Sequence, residues 1–528
     1  MKISQYHLII VLVLLILGSG CRKELSIAEW DVDVVAPIAF GSVNFSNYTD
    51  TKNFSIDNGK LLHVIASETL LSLGLDTLIG IPDYSIDTGF FIPISISYPP
   101  GVPFFVQKEE TKFDLKDVEL TFVEIRDSKI EVFLENTIDK PVLFTYSIYS
   151  ATLNGDTFSI EERVEANDTL HRSFNLNGYA MDLRGEDGNG YNTVVTFIQA
   201  MIHPDETQNH QFQAGDQFNI QNTVTNVIPE YVVGYFGSQT ASFNEIESVD
   251  LFDAVPFTRL NVTDFNVEMT IDNGIGADLE LKVNQLSSSN KGDRVDLEHS
   301  IIGQSMKFTR AINLYDRGNP VKHIQRKVLF TDENSNLDAL LENRPDQFFA
   351  DLFVDVNPLG NVSLGNDFAY YGHNLTASIE LDVPLIVSTT GLFLTDTFAF
   401  NYLAPKDGNQ LDRVNYGSLR FILDNGYAIE ARVQFYLMDS LGMQLDSLLV
   451  APTWIAGGTE SADGLTVVPA RSILEVPVNQ ARLGLMEAAT EIRLETMLNT
   501  TGIDSIHVRS DQKMEFKVVA DLNVSTQK

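Results

Sequence analysis

Histidines, carboxylates and one serine–lysine pair are the residues here with chemistry to offer, and their spacing limits it. Beyond His7 the chain carries His63, His171, His203, His210, His299, His323, His373 and His507. None falls in an HExxH arrangement, whose one-turn spacing aims two imidazoles at one zinc. His203 and His210 flank a loop holding Asp205 and Glu206. A metal site there needs the loop to close on itself, and solvated loop histidines are the simpler expectation. Ser510-Asp-Gln-Lys513 has SxxK spacing. It lies in a strand-like stretch, so no helical turn brings Lys beside Ser. Neither a GxSxG elbow nor a phosphate-cradling GxxxxGK[ST] loop is present. The expectation is therefore a protein that is not an enzyme. A hydrolase would need two carboxyls ~5–10 Å apart in a cleft, and the sequence nominates no pair.

Two further sets of residues could bind rather than react. Asp182…Glu186-Asp187-Gly188-Asn189-Gly190 crowds oxygen ligands into a glycine-flexible turn. Ca²⁺ takes six to eight oxygens, so Asp187 and Asn189 are its candidate ligands here. The turn lacks the length and final Glu of an EF-hand, and a plain turn on an acidic surface competes with this reading. No other cofactor is expected. Sugar rings stack on exposed aromatic faces, and the two tryptophans are Trp30 and Trp454. Trp454 follows Pro452 and precedes Gly457-Gly458, which reads as a loop, and it is the best single candidate for a ligand contact. Tyr370-Tyr371 and Tyr231…Tyr235-Phe236 could add platforms. Aromatics at alternating strand positions ordinarily serve as core or cross-strand pairs instead.

Composition narrows the partners. The 528 residues include 36 Lys and Arg against 72 Asp and Glu, a formal charge of −36. Phosphate binding needs clustered cations, so no nucleic-acid partner is expected. Solubility and mutual repulsion account for such a charge. The single cysteine, Cys21, excludes an intramolecular disulfide and a cysteine-based zinc cluster.

The elements that must carry these residues are mostly strands. Val118–Phe122, Ile130–Leu134, Val142–Ile148, Val267–Ile271, Leu279–Val283, Leu419–Leu423 and Val433–Leu437 alternate apolar and polar residues with period two. Asn154-Gly155, Asn273-Gly274 and Asn425-Gly426 supply turn residues. Helices are expected only at Leu337–Glu342 and Gln480–Ile492. One template recurs three times. A strand ends in Asn136, Asn273 or Asn425, and apolar residues follow six, eight and ten positions later. Read as a repeated hairpin, it implies an all-β chain of tandem antiparallel β-sandwich modules. The expected divisions are an N-terminal β module at 28–104 and sandwiches at 105–250, 251–410 and 411–528.

The N-terminus reads as an address. Lys2 is followed by an unbroken apolar run, Leu8–Leu17, and then by Gly18-Ser19-Gly20-Cys21. Such a run rises ~15 Å as a helix, about half of a ~30 Å hydrocarbon core, as in a secretory signal. The segment resembles a bacterial lipoprotein signal. That resemblance implies removal of residues 1–20, lipidation of Cys21, and a short anchor linker at 21–27. Two or more acyl chains make a stable membrane anchor.

The segment from Glu135 to Phe158 (ENTIDKPVLFTYSIYSATLNGDTF) resembles the water-stress-type (WHy) immunoglobulin-like sandwich. Trp30…Ala36-Pro37, Val233-Gly-Tyr-Phe-Gly237, Val356-Asn-Pro358, Leu381-Asp-Val-Pro-Leu385 and Leu423-Asp-Asn425 are similar, in order, to Bacteroidota outer-membrane lipoproteins of unassigned activity. This resemblance implies an outer-membrane location through the N-terminal lipid, and Lys23-Glu24, within Arg22-Lys23-Glu24-Leu25, resembles the charged surface-export tract of such lipoproteins, which favours the cell surface over the periplasmic face. Tandem modules, an acidic surface and the missing catalytic constellations lead to the expectation of a protein partner in the envelope: a barrel transporter, or assembly or secretion machinery. The leading expectation is a non-catalytic interaction or structural subunit, and the alternative is a surface glycan-binding lipoprotein.

Overall fold

The computed structural model describes residues 29–45, 53–248, 259–262, 265–402, 414–462, 466–500 and 505–527. Cys21 and the signal segment lie outside the described residues. The protein is all-β, built of antiparallel sheets packed as sandwiches. Period-two patterning does the work. In the strand Glu119–Asn136, Ile130, Val132 and Leu134 are buried while Glu131 and Phe133 face solvent.

Two compact units divide the chain, and neither is a continuous segment. The larger takes in Asp50–Ala254 and Leu260–Val387. Its ten-stranded sheet runs Asp367–Tyr370, Gln217–Tyr235, Glu119–Asn136, Ala180–Asp182, Val142–Leu153, Thr193–Ile202, Pro103–Lys112. Three more strands hang from that path. The sheet folds back on itself, for Phe144 and Phe218, on unpaired strands, bring their rings to 5.9 Å. The same unit holds two five-stranded sheets. Asn266–Asn273 lies in one, between Leu375–Pro384 and Ile324–Phe330, and Leu279–Asn290 belongs to the other, beside Gln347–Val356.

The smaller unit takes in Met1–Thr49, Val255–Arg259 and Ser388–Lys528. One sheet has the order Glu29–Asn44, Lys513–Gln527, Val414–Asn425, Ala470–Val478. The other includes Ile386–Ala399, Glu491–Asn499, Glu430–Met438 and Gln444–Ser447. Phe421 and Phe435 meet at 4.7 Å, Phe398 and Phe516 at 4.9 Å, so the two apolar faces interlock in a sandwich core.

Four expectations change. The strands of 28–104 form no module of their own. Glu29–Asn44 pairs with Lys513–Gln527, Leu62–Leu73 with Leu375–Pro384, and Tyr84–Phe91 with Gln217–Tyr235. An unpaired edge exposes backbone donors and acceptors, and these early strands cover edges built by later ones. The repeated template is not a hairpin. In the second and third copies its two strands lie in different sheets, so the chain arches across the core. The helix at Leu337–Glu342 forms. The one begun at Gln480 stops at Ala488, because Ala489 is extended, and Ile492 belongs to the strand Glu491–Asn499. Trp454 sits in the short strand Thr453–Ile455 rather than a loop.

The three template asparagines explain the arches. Each is buried, at 0–1% exposure. Asn136 Oδ1 accepts the Ile138 N–H, and its Nδ2 donates to the carbonyls of Lys140 and Glu165. Asn273 accepts from Ile275 and donates to Thr309, and Asn425 accepts from Tyr427 and donates to Ile429 and Ala456. A buried amide thus satisfies backbone groups that the turn leaves without ladder partners.

Candidate functional site

The larger unit gathers aromatic, basic and imidazole side chains at one place, and strand register puts them there. Tyr231 lies opposite Tyr370 in the ladder between Gln217–Tyr235 and Asp367–Tyr370. Their rings stack with centroids 4.1 Å apart. Asn313 joins them: its Nδ2 donates to the Tyr231 hydroxyl at 2.8 Å, and the Tyr370 hydroxyl donates to its Oδ1 at 3.1 Å. Burial pushes both phenols above their ordinary range, so they act as neutral hydrogen-bonding groups.

This stack supports a more exposed rim. The Tyr371 N–H donates to the Glu230 carbonyl at 2.8 Å, which fixes Tyr371 beside Arg126. The Arg126 guanidinium lies 4.2 Å from the centre of the Tyr371 ring and donates to Glu230 Oε2 at 2.7 Å. Tyr315 is 83% exposed in a left-handed conformation (φ 53°), with its N–H on Asn313 Oδ1. Arg317 reaches to 3.7 Å from Glu124. An open depression of about 480 Å³ adjoins, lined by Glu124, Arg126, Asp127, Asn177 and Glu230.

A file of three titratable groups ends at the same turn. Asp272 Oδ2 lies 2.9 Å from His323 Nδ1, and His323 Nε2 lies 2.8 Å from His373 Nδ1. Asp272 precedes the template Asn273, His323 immediately precedes the strand Ile324–Phe330, and His373 sits in the turn after Tyr370. Gly274 permits the approach, since a Cβ there would fall 2.8 Å from His323 Cε1. Burial, and then the neighbouring His323, lower the proton affinity of His373, while Glu230 opposes them. The imidazole of His323 thus stands within hydrogen-bonding reach of the Asp272 carboxylate at one ring nitrogen and of His373 Nδ1 at the other.

The residues nominated by sequence are scattered. Tyr231, Tyr370 and Tyr371 come together here. Trp454 lies in the smaller unit, 48% exposed and opposite Arg432 in the ladder. Around Asp187 and Asn189, the carboxylate of Asp182 is engaged by Arg184 at 2.6 and 2.9 Å, and Glu186 pairs with Lys108. Both acids are thereby turned to cations of the protein. Among the described residues, no three His, Cys, Asp or Glu side chains are grouped to hold a metal. His203 stands 3.5 Å from Asp205, and the nearly buried His210 lies between Asp139 at 3.2 Å and Asp216 at 3.9 Å. Lys513 pairs with Glu515 at the start of a strand. The Asp272–His323–His373 file escaped the sequence reading, because about fifty residues separate the two histidines.

No family model matches the chain, and no curated protein matches it. Among solved structures, a protein of Parabacteroides distasonis described as secreted aligns at 11% identity and TM-score 0.34. That alignment covers 54% of this chain and 82% of that one. The Sulfolobus turreted icosahedral virus structure aligns at 10% identity and TM-score 0.13, covering 83% and 91%. A β-porphyranase of glycoside hydrolase family 86 from Bacteroides plebeius aligns at 11% identity and TM-score 0.11, covering 51% and 36%. None of these likenesses reaches the level at which an activity passes from one chain to another. Among the described residues, no helix is long and apolar enough to cross a membrane.

Proposed function

We propose that the chain is a non-catalytic, lipid-anchored subunit of a cell-envelope complex, held in the outer membrane through Cys21 and facing the cell surface. It docks a protein partner on the Tyr315, Tyr371, Arg126 and Arg317 rim. The observation that carries this reading is the rim itself. Tyrosine and arginine are enriched at protein-binding hot spots: tyrosine offers a large amphipathic face at low entropic cost, and arginine a planar fork of donors that also stacks on aromatic rings. Here two of them stand on a hydrogen-bonded tyrosine stack. The Leu8–Cys21 segment supports the anchor.

The test is co-purification from detergent-solubilised membranes with the wild type and a Tyr315→Ala/Tyr371→Ala variant. One stoichiometric partner, lost in the variant, is the expected result. Recovery of the wild-type protein alone, repeated in several detergents, overturns the reading.

A second reading, a glycan-binding lipoprotein, is favoured by the adjoining depression. Glu124, Asp127 and Asn177 line it with polar groups that sugar hydroxyls use, and its Arg126 is the residue that stacks on Tyr371. Retardation in polysaccharide affinity gels, abolished by Asn177→Ala, separates this reading from the first.

A further inference from the structure

We infer that the Asp272–His323–His373 file is a proton-operated latch on the turn that presents Tyr371. The inference deepens the docking reading by naming what regulates that rim, and it rests on that reading for its purpose but not for its test.

His323 Nε2 and His373 Nδ1 face each other at 2.8 Å, and His323 Nδ1 faces the Asp272 carboxylate at 2.9 Å. With both imidazoles neutral, the hydrogen on His373 Nδ1 is donated to the bare Nε2 of His323. Adding one proton leaves one hydrogen between the facing nitrogens, so the bond survives, with the positive charge stabilised by Asp272. Adding a second puts a hydrogen on each facing nitrogen. The bond is then impossible, and two cations stand in contact with only part of their charge compensated. The latch therefore holds with no or one added proton and opens with two.

The surroundings make the change consequential. Asp272 enters from the strand Asn266–Asn273, Glu230 from Gln217–Tyr235, and the Tyr370 ring lies 6.3 Å from the His373 ring. The backbone of the turn is tied at the His373 N–H to the Tyr370 carbonyl, and at the Tyr371 N–H to the Glu230 carbonyl. Gly372 between them takes a positive φ of 79°, so the turn can re-form without a steric penalty. His373 is the side-chain peg that holds the turn to the strand bearing Asp272. Its release frees the turn that orients Tyr371 against Arg126.

Hydrogen–deuterium exchange of the full chain, without a partner, reads the latch. Rates are corrected for intrinsic chemistry and compared between about pH 7.5 and about pH 4, because burial and the neighbouring His323 hold the second proton off His373. Protection across residues 371–374 is expected to fall about tenfold on acidification in the wild type. The fall should be absent in His373→Gln, which keeps a polar side chain but does not titrate. His323→Gln serves as the second variant, with the strand Glu119–Asn136 as the internal control for folding. Flat wild-type protection over this range overturns the inference, as does an equal fall in both variants. Either result leaves partner co-purification at neutral pH untouched, so the two readings fail separately.

Discussion

Asn425 repeats at its arch what Asn136 does at its own: Oδ1 accepts the N–H two residues on, and Nδ2 donates to the carbonyl four residues on. Each amide also reaches a carbonyl of a later segment, Ala456 for Asn425 and Glu165 for Asn136. The sequence repeat is thus a repeat of a buried hydrogen-bond knot.

Replacing either asparagine by alanine leaves buried carbonyls and an N–H without partners. Each substitution should destabilise its unit by about 2–3 kcal/mol. Urea unfolding monitored by tyrosine and tryptophan fluorescence measures this, and a loss below about 0.5 kcal/mol would contradict the role given to the amide.

Asp367 is fully buried and gathers three partners. Its Oδ2 accepts from the Phe236 N–H at 3.1 Å and from Asn357 Nδ2 at 2.8 Å, and Oδ1 lies 3.0 Å from Arg310 Nη1. Asp367→Ala leaves the buried Phe236 N–H without its acceptor and takes the counter-ion from Arg310, which keeps the Gly276 and Asn366 carbonyls, and should cost about 2–3 kcal/mol. An equal thermal midpoint for variant and wild type would refute that account.

His299 packs edge-on against Phe330 at 4.9 Å, and its Nδ1 accepts the Ile301 N–H. Burial lowers its proton affinity below that of a free imidazole. The folded state therefore binds this proton less readily than the unfolded state. The associated stability is fully present above about pH 6.5 and is lost as the pH falls from there through the folded value. His299→Gln should flatten the dependence of unfolding free energy on pH in that window. An unchanged slope in the variant would assign the dependence to other groups.

Cys21→Ser removes the only thiol. Metabolic labelling with palmitate should mark the wild type and leave the variant blank, and the variant should move from the membrane to the soluble fraction. Identical labelling of both would remove the anchor from the proposed function.

Strand composition was legible in sequence because burial alternates residue by residue, as at Ile130, Val132 and Leu134. The pairing of those strands was not. Glu29–Asn44 carries no local mark that its partner is Lys513–Gln527, since ladder bonds join backbones and are indifferent to side-chain identity. The Asn template was visible, yet Asn-Gly favours a hairpin as readily as an arch, and only the buried acceptors distinguish them. Tyr370-Tyr371 stands out in the sequence as a doublet. Its neighbours Tyr231, Asn313 and His373 come from separate stretches joined by register, which no spacing rule encodes.

The union of Glu29–Asn44 with Lys513–Gln527 has a bearing on biogenesis. A nascent polypeptide emerging amino end first holds its earliest strand idle until nearly the last one is made. Throughout that interval the smaller unit lacks a finished sheet. Removing Lys513–Gln527 would leave Glu29–Asn44 bare, a ready seed for aggregation.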